Sequence, residues 1–504
     1  MQKFDAIVIG GGSGGNVGAL TLQKGGKKTL LIEKHNITGG TGSSFRRGRF
    51  EFETALHQLY GIMDDYKGDK GQLRKIFEEL GVYDKLEFVV QHETFRLAMG
   101  DLSVAFPGSH EGFKAVCKKV SPMEAEAVDK YQELCDKVAE EFYDLFSCIA
   151  EDEPISKERF PNLFEYGPLP TADLLKKFFK HPLVIGAYST YYGYLGIPVE
   201  TSPFVDMALC YARGEGTCYV KGGSAMMSAA ITNEFMDCGG TVKLGSAVTK
   251  ILVEDGKVRG VRCDDGSEYY ADMVLSNMNK VRVYVDLLDE KDVPEQVFDD
   301  LRVSVPSQSI FSVYMGLDCT PEEAGILNET SFCRRVTDPS KTMNTRYDVN
   351  LRTDYLSGVE FSCYNVDTPD ASPEGTCVLS VLASKVPDWF LSCPIDEYYE
   401  RKDHYLEEVL DYVYECYPGV KGHIEEIDAA TPVTLMRYLG SLNGGIYGLD
   451  AYMKDYIANK LDVDSPIKGL YFCGSSVFAG GFNVSMTSGH FSAKRMLHDA
   501  GKEA

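Results

Sequence analysis

The sequence predicts an α/β fold in which a parallel sheet is interrupted along the chain by a second, α+β domain. A short apolar run at 6–9 has the length and β-branched character of a buried parallel strand, and a glycine cluster and a helical pattern follow it. Another strand, glycine turn and helix close the chain at 467–498. The residues between these two ends lack this strand–glycine–helix pattern and show charged amphipathic helices and aromatic stretches instead. One discontinuous domain with an insertion is therefore predicted.

The first glycine cluster contains G-x-G-x-x-G at Gly10, Gly12 and Gly15. In a βαβ unit the first glycine permits the tight turn, the second lets the backbone approach a pyrophosphate, and the third lets the helix pack closely on the strand. The N–H groups at the start of the helix, including those of Ser13 and Gly14, then face the phosphates at the positive end of the helix dipole. The motif predicts a Rossmann-type dinucleotide site, with an ordinary βαβ unit as the alternative.

A second apolar strand at 29–32 ends on Glu33. An acid about twenty residues after the glycines can accept hydrogen bonds from the adenosine ribose hydroxyls. The same carboxylate would repel a 2′-phosphate. FAD or NAD is therefore expected in preference to NADP.

Composition limits the partners and the compartment. The chain has 504 residues, which suggests two domains, and a net charge of −24, which disfavours nucleic acid and anionic membranes as main partners. Its fourteen cysteines include no C-x-x-C pair, so free thiols in a reducing cytoplasm are expected and no metal site is predicted. The first strand begins close to Met1, leaving no room for a signal or transit peptide, and no apolar run is long enough to span a membrane.

A second glycine cluster follows Glu33 and departs from plain NAD dehydrogenases. It resembles the second flavin-contact motif of the FAD enzymes that include amine oxidases and phytoene desaturases, and more narrowly the carotenoid isomerase and retinol saturase branch. The resemblance implies FAD contacts at Lys34, Gly39, Gly40, Thr41, Gly42, Ser43 and Leu56.

The resemblance continues through 219–277 and 431–448 to the end of the chain. In the family, the residue that matches Val248 contacts adenine through its backbone, and Asn277 ends the same block. The last strand stops at Gly474, and the helix after it begins in a glycine turn whose N–H groups suit the flavin pyrimidine oxygens or the ribityl chain. Contacts there are implied for Gly481, Phe482, Asn483 and Val484.

The resemblance implies a Rossmann-type FAD-binding domain with an inserted α+β substrate domain. The FAD-binding domain would comprise 1–80, 215–285 and 425–504, and the substrate-binding domain 81–214 and 286–424. Within the insertion, Ser121, Pro122 and Glu124 form a helix-start pattern before an apolar stripe at three- and four-residue steps. An aromatic tract at 171–197 can line an apolar tunnel, touch a membrane surface transiently, or form a buried helix pair.

Two residues are candidates for proton handling. His57 lies where the chain of the family passes beside the flavin ring, at a position where relatives carry small residues. Imidazole titrates near neutral pH, so His57 can act as a proton donor or relay, or it can be a packed histidine of the cofactor shell without a chemical role. Tyr447 belongs to the 431–448 passage, which lies near the active site in the family.

The first functional hypothesis is an FAD-dependent oxidoreductase that acts on carbon–carbon double bonds of a lipophilic substrate, by saturation, desaturation or isomerisation of a polyene, retinoid or fatty-acid-like lipid. The alternatives are an amine oxidase-like flavoenzyme acting on a polar substrate and a non-catalytic FAD-binding protein. A cytoplasmic protein, able to lie peripherally on a membrane, is expected. The sequence indicates no particular electron donor or acceptor and no oligomeric state.

Overall fold

The structure is a computed structural model that describes residues 2–55, 57–99, 102–195, 199–212, 216–335, 358–383, 390–449, 463–477 and 480–502. Its β-strands are β1 Gln2–Lys3, β2 Ala6–Ile9, β3 Thr29–Ile32, β4 Ser44–Arg47, β5 Phe50–Glu53, β6 Phe88–Val90, β7 Glu93–Met99, β8 Leu102–Pro107, β9 Cys218–Val220, β10 Thr241–Lys243, β11 Val248–Glu254, β12 Lys257–Cys263, β13 Glu268–Tyr270, β14 Val274–Ser276, β15 Phe311–Leu317, β16 Thr330–Arg334, β17 Gly358–Ser362, β18 Cys377–Ala383, β19 Ile424–Ala430 and β20 Leu470–Phe472. Its α-helices are α1 Ser13–Lys24, α2 Gln72–Glu79, α3 His110–Val120, α4 Ala125–Glu151, α5 Pro161–Tyr166, α6 Thr171–Phe178, α7 Pro182–Ser189, α8 Tyr192–Leu195, α9 Phe204–Tyr211, α10 Gly223–Asp237, α11 Lys280–Arg282, α12 Glu295–Arg302, α13 Pro321–Ala324, α14 Tyr398–Cys416, α15 Pro432–Leu439 and α16 Phe482–Lys502.

A five-stranded parallel sheet brings the two ends of the chain together. Its order is β10-β3-β2-β14-β20, and each neighbouring pair is parallel. Every residue of β2, β3, β14 and β20 is buried, as expected for parallel strands that are covered on both faces. The predicted strands at 6–9 and 29–32 and the α/β fold class are confirmed.

The strand order of this sheet reverses at β2. The chain leaves β2 through α1 and returns in β3 on one side, whereas β14 and then β20 lie on the other side. Ligands of open α/β sheets bind at such a switch point, beyond the carboxyl ends of the strands. Gly10, Glu33, Asn277 and Gly474 follow β2, β3, β14 and β20, so all four lie at this one edge.

Glycines let α1 and α16 touch backbone to backbone behind that edge. A Cβ atom at Gly489 of α16 would collide with the carbonyl oxygen of Gly14, and one at Gly18 would lie 2.6 Å from the Leu275 side chain and 3.2 Å from the Gly489 oxygen. The helix α16 is therefore packed against α1, beside the edge that carries Gly10, Glu33, Asn277 and Gly474, which we name the dinucleotide edge after its predicted ligand.

A seven-stranded sheet forms most of the rest, in the order β19-β15-β18-β17-β16-β7-β8. It is antiparallel apart from the parallel pair β16–β7, and it draws strands from both predicted substrate segments. The strand β19 spans residue 425 and pairs with β15. The first residues of the segment predicted to start at 425 therefore pair in the seven-stranded sheet, while the division into FAD-binding and substrate-binding domains stays a prediction.

The predicted apolar stripe of the insertion is buried along α4. The helix start differs from the prediction: Pro122–Glu124 is a 3-10 turn, Ser121 caps nothing with its side chain, and α4 begins at Ala125. The Glu124 carboxylate instead accepts the backbone N–H groups of Lys180 and His181. In the described residues, no helix is both long and apolar enough to cross a bilayer.

Candidate functional site

The turn between β2 and α1 is built as an anion-binding site. Gly10 has a φ of +89°, which favours glycine, and its N–H donates to the carbonyl of Ile32 at 2.8 Å. The helix is capped by Gly12, which offers no side chain, and its first turn holds no acidic residue. The first N–H groups of α1, at Ser13, Gly14 and Gly15, therefore have no side-chain cap to compete with an anion.

The Glu33 carboxylate is held against this turn. It is 8 % exposed, and it accepts the N–H of Gly11 at 2.7 Å and the N–H of His35 at 2.8 Å. The remaining lone pairs of its oxygens can accept ribose hydroxyls. The neighbouring Lys34 donates to the carbonyl of Arg437 at 3.3 Å, and burial lowers the pKa of Lys34 although Glu33 opposes this shift.

The second glycine cluster joins the first at its backbone. The N–H of Gly39 donates to the carbonyl of Gly11 at 2.7 Å, and Gly12 and Gly39 form a parallel bridge. The Ser43 hydroxyl donates to the carbonyl of Gly40 at 3.1 Å. The Thr41 carbonyl accepts the Thr54 hydroxyl at 2.6 Å, and a Cβ atom on Gly42 would lie 3.1 Å from the ring of Phe482. This cluster thus lies between the first turn and the start of α16.

The other predicted cofactor residues surround the same edge. The side chain of Asn277 lies between the two glycine turns, since its amide nitrogen is 2.7 Å from where a Cβ atom of Gly12 would stand and its oxygen borders Gly474. Gly481, with a φ of +96°, precedes α16, and Val484 in its first turn is buried.

Val248 begins β11 and is buried. Ser246, two residues earlier, donates its N–H to the Glu33 carbonyl at 3.0 Å. Leu56 lies outside the described residues. The structure thus gathers the described cofactor candidates at one edge, while their contacts with a cofactor stay a prediction.

His57 is buried in an aromatic pocket. It is 5 % exposed, its Nδ1 atom lies 3.4 Å from the hydroxyl of Tyr364, and its ring stacks on Tyr194 with centroids 6.1 Å apart. The Nε2 atom is buried and has no hydrogen-bond partner in the part of the chain that the structure describes. Burial lowers the pKa of His57 to about 4, so the imidazole is neutral at pH 7. A role as a cationic acid is therefore disfavoured, whereas a relay by the neutral ring fits.

Tyr447 lies apart from His57. Its ring packs directly on the backbone of Gly480, and its N–H donates to the Ser307 hydroxyl at 2.8 Å. Burial raises the pKa of Tyr447, so its phenol is neutral. Within the described ranges Tyr447 and His57 share no hydrogen bond and no ring contact, so the structure does not bring the two predicted proton-handling residues together.

A small, partly aromatic cavity of about 40 Å³ lies near the His57 pocket. Tyr60, Phe113, Tyr191 and Tyr211 line it together with polar residues that include Gln132. The ring of Tyr191 packs 5.9 Å from that of Tyr60 and equally far from that of Tyr194, the ring that stacks on His57.

The aromatic tract at 171–197 supplies part of this wall. Its described part forms α6, α7 and α8, and Phe179, Val184, Tyr188 and Tyr191 are buried. These side chains therefore face the interior, as in a lined cavity or a helix core, and leave little apolar surface for a membrane. Residues 196 and 197 lie outside the described residues.

The sequence patterns did not identify Tyr364, whose hydroxyl lies 3.4 Å from His57 Nδ1. No local signal marks Tyr364, because the fold brings it to His57 from a position far along the chain.

Comparisons with known proteins agree with this geometry. Residues 17–497 match the family model described as flavin containing amine oxidoreductase. All-trans-retinol 13,14-reductase of Danio rerio is 26 % identical over 544 residues, covering 99 % of this chain and 87 % of that protein. Prolycopene isomerase 2 of Oncidium hybrid cultivar is 26 % identical over 517 residues, covering 100 % and 85 %. An oxidoreductase from Methanosarcina mazei shares the fold with a TM-score of 0.66 at 16 % identity, covering 97 % of this chain and 99 % of that one.

Proposed function

The chain belongs to the flavin containing amine oxidoreductase family, and from this membership we propose that it is an FAD-dependent oxidoreductase, or a redox-neutral flavin-dependent isomerase, acting on carbon–carbon double bonds of a lipophilic unsaturated substrate. Two relatives support the choice of bond, since one is named for the reduction of retinol and the other for the isomerisation of prolycopene. The substrate class is a polyene, retinoid or fatty-acid-like lipid.

One observation carries the proposal: Tyr60 joins the dinucleotide edge to the aromatic cavity. Its carbonyl accepts the side-chain amide of Asn483, in the first turn of α16, at 2.9 Å, while its ring lines the cavity beside Tyr191. A group held at the C-terminal glycine turn would therefore lie next to the aromatic wall. The aromatic rings of this wall can pack against a flat apolar chain.

The residues present fit FAD in four respects. The uncapped start of α1 suits a pyrophosphate, and Glu33 is placed for a ribose without a 2′-phosphate. A third donor or acceptor site is the buried Nε2 atom of His57, which has no hydrogen-bond partner among the described residues and can bond a ligand. A second glycine turn at the start of α16 extends the site beyond what NAD alone would need.

Bound FAD would supply hydride transfer to or from carbon, and the chain's own residues would position the reactants and exclude water. The α1 N-terminus would hold the pyrophosphate, and the first N–H groups of α16 would contact the pyrimidine or ribityl part of the flavin. His57 offers one neutral ring nitrogen to the ligand, while Tyr364 hydrogen-bonds the other and so orients the ring.

Amine oxidation of a polar substrate is the second candidate, because the family is described by that chemistry. It predicts flavin reduction by an amine without any lipid. A non-catalytic flavoprotein predicts a bound flavin that no substrate reduces or reoxidises.

The test begins with the absorbance spectrum of the purified protein, before and after reconstitution with FAD, FMN or NAD. The FAD form is then reduced with dithionite without oxygen and mixed with all-trans-retinol, linoleic acid or benzylamine. Reoxidation by an unsaturated lipid, or a shift of its double bond without net flavin turnover, is expected. The proposal is refuted if the protein binds no FAD. It is also refuted if benzylamine reduces the oxidised flavin and neither lipid reoxidises the reduced flavin.

A further inference from the structure

The end of α14 is held against β16 by contacts on both sides of Cys333. The Tyr417 hydroxyl donates to the Ser331 hydroxyl at 2.9 Å, and the Arg335 guanidinium donates to both oxygens of the Glu415 carboxylate, at 3.0 and 2.6 Å. Residues 331, 333 and 335 alternate along the chain, so their side chains lie on the same face of the sheet. Cys333 therefore faces the end of α14 from between the two contacts.

The thiol of Cys333 meets that of Cys416, the last residue of α14. A hydrogen bond between the two thiols raises the pKa of Cys333, as burial does, and lowers the pKa of Cys416 against the effect of burial. Cys333 is 6 % exposed, whereas Cys416 is partly exposed. The pair therefore has one sulfur atom that a small oxidant can reach and a second, buried sulfur atom in contact with the first.

A second thiol pair in the same hydrophobic cluster lacks this access. Cys363, directly after β17, and Cys377, the first residue of β18, also share a thiol hydrogen bond, and both are 0 % exposed. Oxidation of a cysteine requires solvent access as well as thiolate character. The Cys363–Cys377 pair is thus a matched control that has the contact and lacks the exposure.

We propose that Cys333 and Cys416 form a reversible disulfide when the protein meets hydrogen peroxide. The Cys416 thiolate attacks one peroxide oxygen, the O–O bond breaks, and the other oxygen leaves as hydroxide and takes up a proton; Cys416 becomes a sulfenic acid. The Cys333 sulfur then attacks the Cys416 sulfur, the S–O bond breaks, and the hydroxyl group leaves as water with the Cys333 proton. The two thiols lose two electrons, which reduce the peroxide to water. A dithiol reductant restores both thiols by exchange.

The bond would tie the end of α14 to β16 across a loop that contains β17 and β18. A cross-link between residues far apart in the sequence lowers the conformational entropy of the unfolded chain. The peroxide-treated protein should therefore unfold at a higher urea concentration than the reduced protein, and this shift should be absent in Cys416→Ser. Equal urea midpoints of treated and reduced wild type would overturn the stabilising effect.

The decisive experiment maps disulfides by mass spectrometry. The purified holoprotein is treated with hydrogen peroxide, its remaining thiols are alkylated in denaturant, and its tryptic peptides are compared before and after reduction. A peptide that links Cys333 to Cys416 is expected in wild type and in Cys363→Ser, and not in Cys416→Ser. In Cys333→Ser, the Cys416 sulfenic acid should persist and be trapped by dimedone. Absence of the linked peptide from wild type, or a Cys363–Cys377 link that forms as readily, would overturn the proposal.

An exposed cysteine elsewhere tests the order of attack. Cys238 is exposed, but desolvation and the hydrogen bond that its thiol donates to Glu234 at 3.5 Å raise its pKa. Because the thiolate is the nucleophile, iodoacetamide at pH 7 should alkylate Cys416 faster than Cys238, although Cys238 is the more exposed. Slower alkylation of Cys416 would overturn its role as the attacking thiol.

Discussion

Replacing Glu33 with glutamine turns one acceptor atom at the end of β3 into a donor. The carboxylate accepts two backbone N–H groups, from Gly11 at 2.7 Å and from His35 at 2.8 Å. Glutamine has one acceptor oxygen, so one of these N–H groups would face an NH₂ group. An unsatisfied buried donor costs about 1–3 kcal/mol, and we expect the free energy of unfolding without FAD to fall by about that amount.

The same substitution should weaken FAD binding. If Glu33 accepts the ribose hydroxyls, glutamine removes a charged acceptor, and hydrogen bonds to charged groups contribute about 1.5–3 kcal/mol. The Kd for FAD should therefore rise about 10- to 100-fold. Urea unfolding of the apoprotein measures the first effect, and titration with FAD by flavin fluorescence measures the second.

Asp5 provides a matched control on the same sheet. It accepts one backbone N–H, from Lys28 at 2.8 Å, at the opposite end of β2. Asparagine can keep that single bond with its amide oxygen, so Asp5→Asn should change neither the stability nor the Kd. A Glu33→Gln protein that binds FAD within about twofold of wild type would refute the assignment of Glu33 to the ribose.

Three further predictions concern stability. Arg334→Met should lower the free energy of unfolding in urea by about 3–5 kcal/mol, because it leaves Glu360 buried without its ion-pair partner. This loss should become smaller on acidification, as Glu360 becomes protonated, and a loss independent of pH would contradict the prediction. The unfolded chain protonates His57 at about pH 6.5, whereas burial delays protonation in the folded protein to a pKa of about 4. Wild type should therefore lose about 3 kcal/mol relative to His57→Gln as pH falls between these values, and parallel stability curves of the two proteins would refute it. Leu145 is fully buried, so Leu145→Ala should lower the free energy of unfolding by about 2–5 kcal/mol. Met123 is 99 % exposed, so Met123→Ala should change it by no more than about 0.5 kcal/mol. Similar losses in the two variants would place Leu145 outside the core.

The dinucleotide edge was predictable because its signals are local. The run at 6–9, the glycines after it and Glu33 lie within one βαβ unit, where chain order dictates spatial order. The family resemblance added the later turns, whose strands are separated along the chain by the insertion. Gly474 could not have been placed beside Gly12 from spacing alone, because their strands meet only through β14.

The environment of His57 was not predictable from the same patterns. Its hydrogen-bond partner Tyr364 is 307 positions away, and nothing near Tyr364 in the sequence marks a site. The predicted start of α4 was wrong for a related reason. Glu124 has the right spacing for a capping box, but the fold supplies it with the backbone N–H groups of Lys180 and His181, which local sequence cannot anticipate.

The position of β20 at the edge of the five-stranded sheet has a consequence for synthesis. Its neighbour β14 has no partner on that side until residues 470–472 emerge, and α16 packs on α1 later still. During translation, β14 therefore keeps one unpaired edge beside the first glycine turn until the whole seven-stranded sheet has been synthesised. A ligand that needs both turns can bind only after residues 470–502 have been made, so the whole insertion is translated before the cofactor is bound.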